Sequence, residues 1–523
     1  MEGITQGFRI GHCPSLAPLK SAKKNMQSAL CHEQVIDDYL SNEEQDQRVV
    51  GPFATFDPSL ADAHINRFGV IPKSHQPDKW RLIVDLSHPK EASVNDGIIR
   101  QLCSMSYTTV DEATQKVASL GPGSLLAKID IKRAFRLIPV HPADRHLLAM
   151  RWRDGIYIDT CLPFGLRSAP KLFNILADLL EWILLNQGIS FVMHYLDDYL
   201  TIGPPNSPMC YQNLQLLIEI CGMLVGIPLA THKIEGPATE LEFLGILIDT
   251  VHMEVRLPDE KLTRTRATVG EFLHRKNATK REILSIVGVL QHAAKVVRPG
   301  RSFVGRMYCT AAKVTEMDYF TRLNVEFQSD LYWWHLFLSQ WNGVSFLPHN
   351  SDPTLTIQTD ASGHWGCGGF ADGMWFQLQW SPEWLTQSIM PKELVPIVIS
   401  CAVWGPVLAR RRVKFQCDNT GVVKAVEKGY SKEQLVMKLL RSLWFFVAHF
   451  DITIHIEHIA GAQNTTADCL SRNKMHQFFS SNTQADRLPT PLPLELIQIV
   501  AVTAPDWTSP LFRQLFNTTT RRV

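Results

Sequence analysis

The chain has 523 residues, with 45% hydrophobic and 20% charged side chains and a formal net charge of +1. That length allows about three ordinary domains, and the composition is that of a globular protein rather than a fibrous or low-complexity one. No apolar run approaches the ~18 residues that span a bilayer, and no signal or transit peptide is evident, so a soluble intracellular protein of the cytoplasm and/or nucleus, with no membrane partner, is expected.

The near-zero net charge hides segregation. From Asp37 to Asp46 the run "DDYLSNEEQD" carries five acids and no base, whereas Arg256 to Arg306 carries twelve Lys/Arg against four Asp/Glu. The basic stretch is long enough to form a phosphate-binding face. Eleven scattered cysteines, without a CxxC pair, predict a reducing compartment. His12-Cys13 and Cys31-His32 fit no zinc-finger spacing.

In chain order, residues 1–48 are polar and weakly patterned, and are expected to be weakly ordered. Residues 49–250 alternate short β-prone runs ("WRLIVDLS", "SLLAKIDI", "EFLGILID") with helical stretches, which predicts an α/β body. A helix is expected over "APKLFNILADLLEWILLNQ", with Leu172, Phe173, Leu176, Leu179, Leu180 and Ile183 on one broad face. Within this body, "FVMHYLDDYLTIG" places Asp197 and Asp198 at the tip of a predicted hairpin, inside an otherwise apolar run. Upstream, "LLAKIDIKRAFRLIPV" ends a strand on Asp130. Burying carboxylates costs several kcal/mol unless something compensates them. A strand-end acid and a hairpin pair are the parts needed to hold two Mg2+ ions, with Mn2+ as a substitute. Nucleotidyl transfer uses two such cations about 3.5–4 Å apart.

"YLDD", with Asp130 before it and "LPFGLRSAP" between, resembles the palm of a reverse transcriptase, over roughly Phe68 to Asp249. The resemblance implies a right-hand polymerase of fingers, palm and thumb, multidomain α/β. It also implies that Asp130, Asp197 and Asp198 are the catalytic, metal-holding acids. Arg81 and Lys73 would meet the triphosphate of a dNTP, with Phe164, Gly165 and Lys233 also lining the nucleotide site. Phe135, five residues after Asp130, matches the bulky aromatic that excludes a 2′-hydroxyl. "FLGILI" matches the primer grip. RNA template, DNA primer and RNA–DNA hybrid are the implied partners.

Residues 251–348 read as helical thumb and connection, whose basic residues track a duplex backbone. The aromatic run "DLYWWHLFLSQW" is expected to pack the connection against the C-terminal domain. After the turn-rich "LPHNSDPT", residues 349–475 carry four acids in order: Asp360 closing "LTIQTD", Glu393 in "ELVPIVISCAVW", Asp418 closing "VKFQCD", and Asp468 in "NTTADCLSR". Two strand-end acids, one helix acid and a late one converge on a second two-metal site, and the set resembles the acid tetrad of a ribonuclease H. His458 stands where that family often has a mobile histidine. Residues 476–523, with "RLPTPLPLELIQ", read as an extended tail.

"VVRPGRSFVGR", "WWHLFLSQWNGVSF" and "PDWTSPLFRQLF" resemble reverse transcriptases of the DIRS and Ngaro group of tyrosine-recombinase retrotransposons. A tyrosine recombinase from the same element is then the expected partner for integration. The expected activity is RNA-directed DNA synthesis joined to ribonuclease H cleavage. One alternative is a catalytically inactive, retroelement-derived nucleic-acid-binding protein, against which stands the presence of all seven acids. An RNA-copying RNA polymerase is the other, and Phe135 and the second acid set argue against it.

Overall fold

The alternation of β-prone and helical runs between residues 49 and 250 produces two main sheets. The computed structural model describes residues 2–55, 57–72, 80–297, 300–346 and 355–493, in two compact units, Met1–Met253 and Glu254–Val523. In the first unit the strands are β1 (Val49–Ala54), β2 (Ile65–Pro72), β3 (Trp80–Asp85), β4 (Leu125–Asp130), β5 (Ala149–Trp152), β6 (Gly155–Asp159), β7 (Val192–Tyr195), β8 (Asp198–Gly203), β9 (Glu235–Ala238), β10 (Glu240–Phe243) and β11 (Ile246–Asp249). One sheet has the order β1-β6-β5-β2-β3 and the other β7-β8-β4-β9. The β10–β11 hairpin pairs Phe243 with Ile246 across its turn.

Helices α1 (Glu33–Gln45), α2 (Val110–Leu120), α3 (Ala169–Asn186) and α4 (Met209–Glu219) are the longer helices of the unit. Thr109 and Glu112 close a capping box at the start of α2. On α3 the buried positions are Ala169, Phe173, Ala177, Leu180 and Leu184, at spacings of four, four, three and four residues. Leu179, expected on the inner face, is 38% exposed. Leu172, Leu176 and Ile183 lie partly buried against the same core, so Leu179 marks the exposed edge of the predicted face.

The expectation of a weakly ordered segment over 1–48 is corrected. Ile10, Ala29, Ile36 and Leu40 belong to the same core cluster as Phe68, Ile129 and Tyr199. On α1 the buried residues Ile36, Leu40 and Glu43 fall at i, i+4 and i+7. The acids that look like a solvated face include Glu43, which bonds Arg48 at 2.8 Å and Arg136 at 2.8 Å. Arg136 also reaches Asp159 at 2.6 Å, and both are almost fully buried. An unpaired guanidinium there would be costly, so the acidic helix and the buried arginine require each other.

In the second unit, helices α5 (Asp259–Leu273), α6 (Lys280–Ala293) and α7 (Val325–Gln340) precede a five-stranded sheet. Part of the basic surplus is paired locally: Arg275 with Glu282 at 2.7 Å, and Arg281 with Asp318 at 2.9 Å. The aromatic run behaves as expected, with Trp333 and Trp334 buried and Trp333 edge-on to Phe445 at 5.9 Å. Asp330, 1% exposed, pairs with Arg441 at 3.0 Å.

The sheet comprises β12 (Leu355–Ala361), β13 (Gly366–Ala371), β14 (Met374–Gln379), β15 (Arg412–Cys417) and β16 (Thr453–His458), in the order β14-β13-β12-β15-β16. β12 and β13 are antiparallel, whereas β12, β15 and β16 run parallel. Helices α8 (Ile389–Val403), α9 (Thr420–Lys428), α10 (Gln434–His449), α11 (Thr465–Ser471) and α12 (Met475–Ser481) complete this unit.

The tail expected from residue 476 begins later. Phe478 is fully buried and packs edge-on against Phe370. Beyond α12, the Trp375 indole donates to the Asp486 carbonyl at 2.8 Å, and that of Trp404 to the Thr490 hydroxyl at 2.9 Å. One buried aromatic and two anchored backbone segments are enough to draw this stretch onto the domain. The rest of the expected tail (494–523) and the joint "LPHNSDPT" lie outside the described residues. No helix among the described residues is long and apolar enough to cross a membrane.

Two candidate active sites

Strand pairing brings the first three acids together. β4 and β8 are antiparallel neighbours, and their register sets Asp130 opposite Asp198. The β7–β8 hairpin turns through two residues, Leu196 and Asp197, with Tyr195 paired to Asp198. Leu196 sits at φ +54, a left-handed conformation that a branched side chain adopts only when its surroundings impose it. The surroundings are firm. Tyr199 is fully buried and donates from its hydroxyl to the Ala177 carbonyl on α3 at 3.1 Å. The Ile131 N–H donates to the Asp197 carbonyl at 2.9 Å, tying the turn to the end of β4.

Three carboxylates so placed repel one another. Burial, then Asp197 and Asp130, push the Asp198 carboxyl up to about 6. Burial and Asp130 raise Asp197 as well. Lys233, in the short turn before β9, donates from Nζ to Asp130 Oδ2 at 2.6 Å. That hydrogen bond raises the lysine. It acts on the cluster together with Lys128, since both hold Asp198 down, and its match to Asp130 is not readable from the spacing alone.

Phe135 is half-buried, 5.4 Å from Phe164 and 5.8 Å edge-on to Phe173. Phe164 is 53% exposed. Gly165 is at φ +97, and a Cβ there would lie 3.0 Å from the Val84 carbonyl. This is a left-handed position with no room for a side chain. Arg81 stands exposed on β3, the strand that carries Val84. Lys73 lies outside the described residues. Sequence reading missed Asn95, 4% exposed. Its amide donates to the Gly165 carbonyl at 2.9 Å and its oxygen accepts from the Arg167 N–H at 2.8 Å, bracing the loop. Its signal, an Asn-Asp-Gly turn in "SVNDG", is too common to assign by itself.

The second acid set uses parallel strands. Because Gln358 faces Gln416 in the β12–β15 register, Asp360 and Asp418 emerge at the same carboxyl end of neighbouring strands. His458 closes β16 there, opposite Cys417, and its Nε2 is 3.1 Å from the Asp418 carbonyl oxygen. Glu393 comes from α8 and is 4% exposed. Burial, then Asp360 and Asp418, push its carboxyl up to about 10, and its Oε2 has no hydrogen-bond partner. Asp360 is pushed up to about 6, mainly by burial, although the Ser471 hydroxyl donates to it. Asp468, on α11, is near enough to Asp360 to raise it, but its own carboxylate pairs with Arg472 and, at 3.5 Å, Lys474. The buried Asn464 holds α11 against the sheet through the Thr359 carbonyl at 2.9 Å. Ser471, Asn464 and Cys417 carry no motif signal.

Residues 71–248 match the family described as reverse transcriptase (RNA-dependent DNA polymerase). Over those residues the chain is similar to reverse transcriptase domains. Among curated relatives, the enzymatic polyprotein of Figwort mosaic virus (strain DxS) is 24% identical over 71% of this chain and 55% of its own length. Polyprotein P3 of Commelina yellow mottle virus is 23% identical over 68% of this chain and 18% of its own length. The chain thus spans less than two thirds of these relatives. The foamy viral protease-reverse transcriptase solved with ds DNA aligns at a TM-score of 0.51 and 16% identity, covering 86% of this chain and 73% of that one. The fold is accordingly the right-hand polymerase class, mixed α/β, as expected from the sequence.

Proposed function

We propose that the chain is an RNA-directed DNA polymerase joined to a ribonuclease H, and that it copies a retroelement RNA and then degrades the RNA strand of the hybrid. The observation that carries this reading is the meeting of Asp130, Asp197 and Asp198 at one sheet end within the segment that matches the reverse transcriptase family. The donor set fits hard divalent cations. It consists of carboxylate oxygens whose repulsion Lys128 and Lys233 do not fully relieve, as the raised Asp198 indicates. Asp130, Asp197 and Asp198 would hold two Mg2+, with Mn2+ as the substitute. When bound, the ions lower the charge barrier between the primer 3′-oxygen and the α-phosphate of a dNTP.

The chain's own residues supply the rest. The hairpin fixes the acids before substrate arrives, so little reorganisation is needed. The Phe135 ring, held by Phe164 and Phe173, blocks the space of a 2′-hydroxyl. Gly165 leaves its backbone open to the incoming base, and Lys233, Arg81 and Lys73 bring positive charge to the triphosphate.

For the nuclease, Asp360, Glu393, Asp418 and Asp468 would hold the second pair of ions, with His458 at the edge. Support comes from the shared carboxyl end of β12 and β15 and from the unpartnered Glu393 Oε2. The domain reading that goes with this is fingers and palm over 49–250, thumb and connection over 251–348, and nuclease over 349–475. All eleven cysteines are unpaired, in keeping with an intracellular site of action. The "VVRPGRSFVGR" and "PDWTSPLFRQLF" segments support a DIRS/Ngaro-type element, with a tyrosine recombinase as partner.

Primer extension on poly(rA)/oligo(dT) with dTTP and Mg2+ tests this, beside the Asp197→Asn/Asp198→Asn double variant. Extension by the wild type alone is expected. Folded wild-type protein that binds the duplex but never extends it would favour the inactive binding protein instead.

A further inference from the structure

The second acid cluster contains a donor that a magnesium site does not use. Cys417, the last residue of β15, is fully buried. Its Sγ and one carboxylate oxygen each from Glu393 and Asp418 all lie within 4.8 Å of one another. Glu393 is 4% exposed and its Oε2 has no partner, so the same group holds a buried oxygen whose bonding is incomplete. Leaving such an atom unsatisfied in the folded chain is costly. Hard cations take oxygen and pass over sulfur, whereas Zn2+ takes thiolate and carboxylate together. Donors on one Zn2+ sit about 2.0–2.3 Å from the ion, so a shared ion would draw the three atoms, now within 4.8 Å of one another, somewhat closer together. Asn419 donates its N–H to Cys417 Sγ at 3.5 Å, which orients the sulfur.

We propose that Glu393, Cys417 and Asp418 form a mixed carboxylate–thiolate site for one thiophilic divalent cation of the Zn2+ or Cd2+ class, which competes with hard cations for the two acids. The inference rests on the nuclease reading only in sharing those acids. On binding, one sulfur–metal and two oxygen–metal bonds form, the thiol S–H bond and the O–H bond of the Glu393 carboxyl break, and both protons leave to solvent.

The test is a Cd2+ titration of the full chain without Mg2+, monitored by the ultraviolet thiolate-to-Cd2+ charge-transfer band. Exposed cysteines such as Cys31 and Cys309 also bind Cd2+, so the quantity read is the difference from Cys417→Ser. Loss of the tightest phase in Cys417→Ser is expected, and Glu393→Gln, which keeps the thiol, should weaken it about tenfold or more. Zn2+ should also inhibit hybrid cleavage at about tenfold lower concentration in the wild type than in Cys417→Ser. An identical tightest phase in wild type and variants overturns the site. If Cys417→Ser does not fold, an unchanged phase in Glu393→Gln overturns it alone. A Cys417-dependent phase in a chain that never cleaves hybrid would remove the nuclease reading and leave the metal site standing, and cleavage without that phase would do the reverse.

Discussion

The two carboxylate clusters meet one electrostatic problem with different means. In the palm, an antiparallel hairpin folds its turn against the end of β4, and Lys233 partly neutralises Asp130 at 2.6 Å. In the other sheet the acids leave the common end of parallel strands. There the cations Arg472 and Lys474 turn to Asp468 and leave Glu393 with an orphaned oxygen. The outcomes differ accordingly: Asp198 is raised to about 6 and Glu393 to about 10. Burial beside like charges, rather than the acids themselves, sets how strongly each site seeks a cation.

The largest effect that would sharpen this contrast is chemical. Asp198→Asn should lower DNA synthesis about a thousandfold or more, since each site is asked for several kcal/mol of charge stabilisation. Hybrid cleavage by the same protein should stay nearly intact in a gel assay. Next comes stability. Arg136→Met leaves Glu43 and Asp159 facing each other without their shared cation and should cost about 3–5 kcal/mol, read by urea unfolding. Replacing the exposed Arg153, by contrast, should cost under about 1 kcal/mol. Third, Phe135→Val should raise ribonucleotide use relative to deoxynucleotide use by about 10- to 100-fold in single-nucleotide kinetics.

A smaller effect is linked to pH. Asp198 and Asp360 are both raised to about 6 from 3.8. A raised folded-state value gives stability that is present below the unfolded value and lost as pH rises through the folded one. In metal-free buffer, Asp198→Asn should therefore gain Tm relative to wild type as pH goes from 4 to about 6.5, and Mg2+ should cancel that gain. The smallest effect is expected at His458, which reaches Asp418 only through the backbone carbonyl. His458→Ala should slow cleavage turnover about tenfold at most.

Much of both sites is legible in the sequence because strand ends and tight turns have local signatures. "YLDD" within an apolar run, "LTIQTD" and "VKFQCD" each predict an acid at a strand end, and the register then brings those acids together. What is not legible depends on distant partners. Glu43 looks like one acid among five until Arg136, 93 residues away, is seen to need it. Ser471 meets Asp360 from 111 residues away, and Asn95 meets Gly165 from 70. The exposure of Leu179 at the edge of the α3 face depends on what packs against the helix, which periodicity cannot choose. Phe478 and Phe479 form an aromatic pair in a polar stretch, and nothing nearby in sequence announces the Phe370 that Phe478 packs against.

The most direct test of two independent carboxylate sites is a pair of assays on the full chain, primer extension and RNA–DNA hybrid cleavage, with wild type, Asp198→Asn and Asp360→Asn side by side. The account predicts a crossed result: Asp198→Asn cleaves but does not extend, and Asp360→Asn extends but does not cleave. Loss of both activities in either folded variant would contradict it.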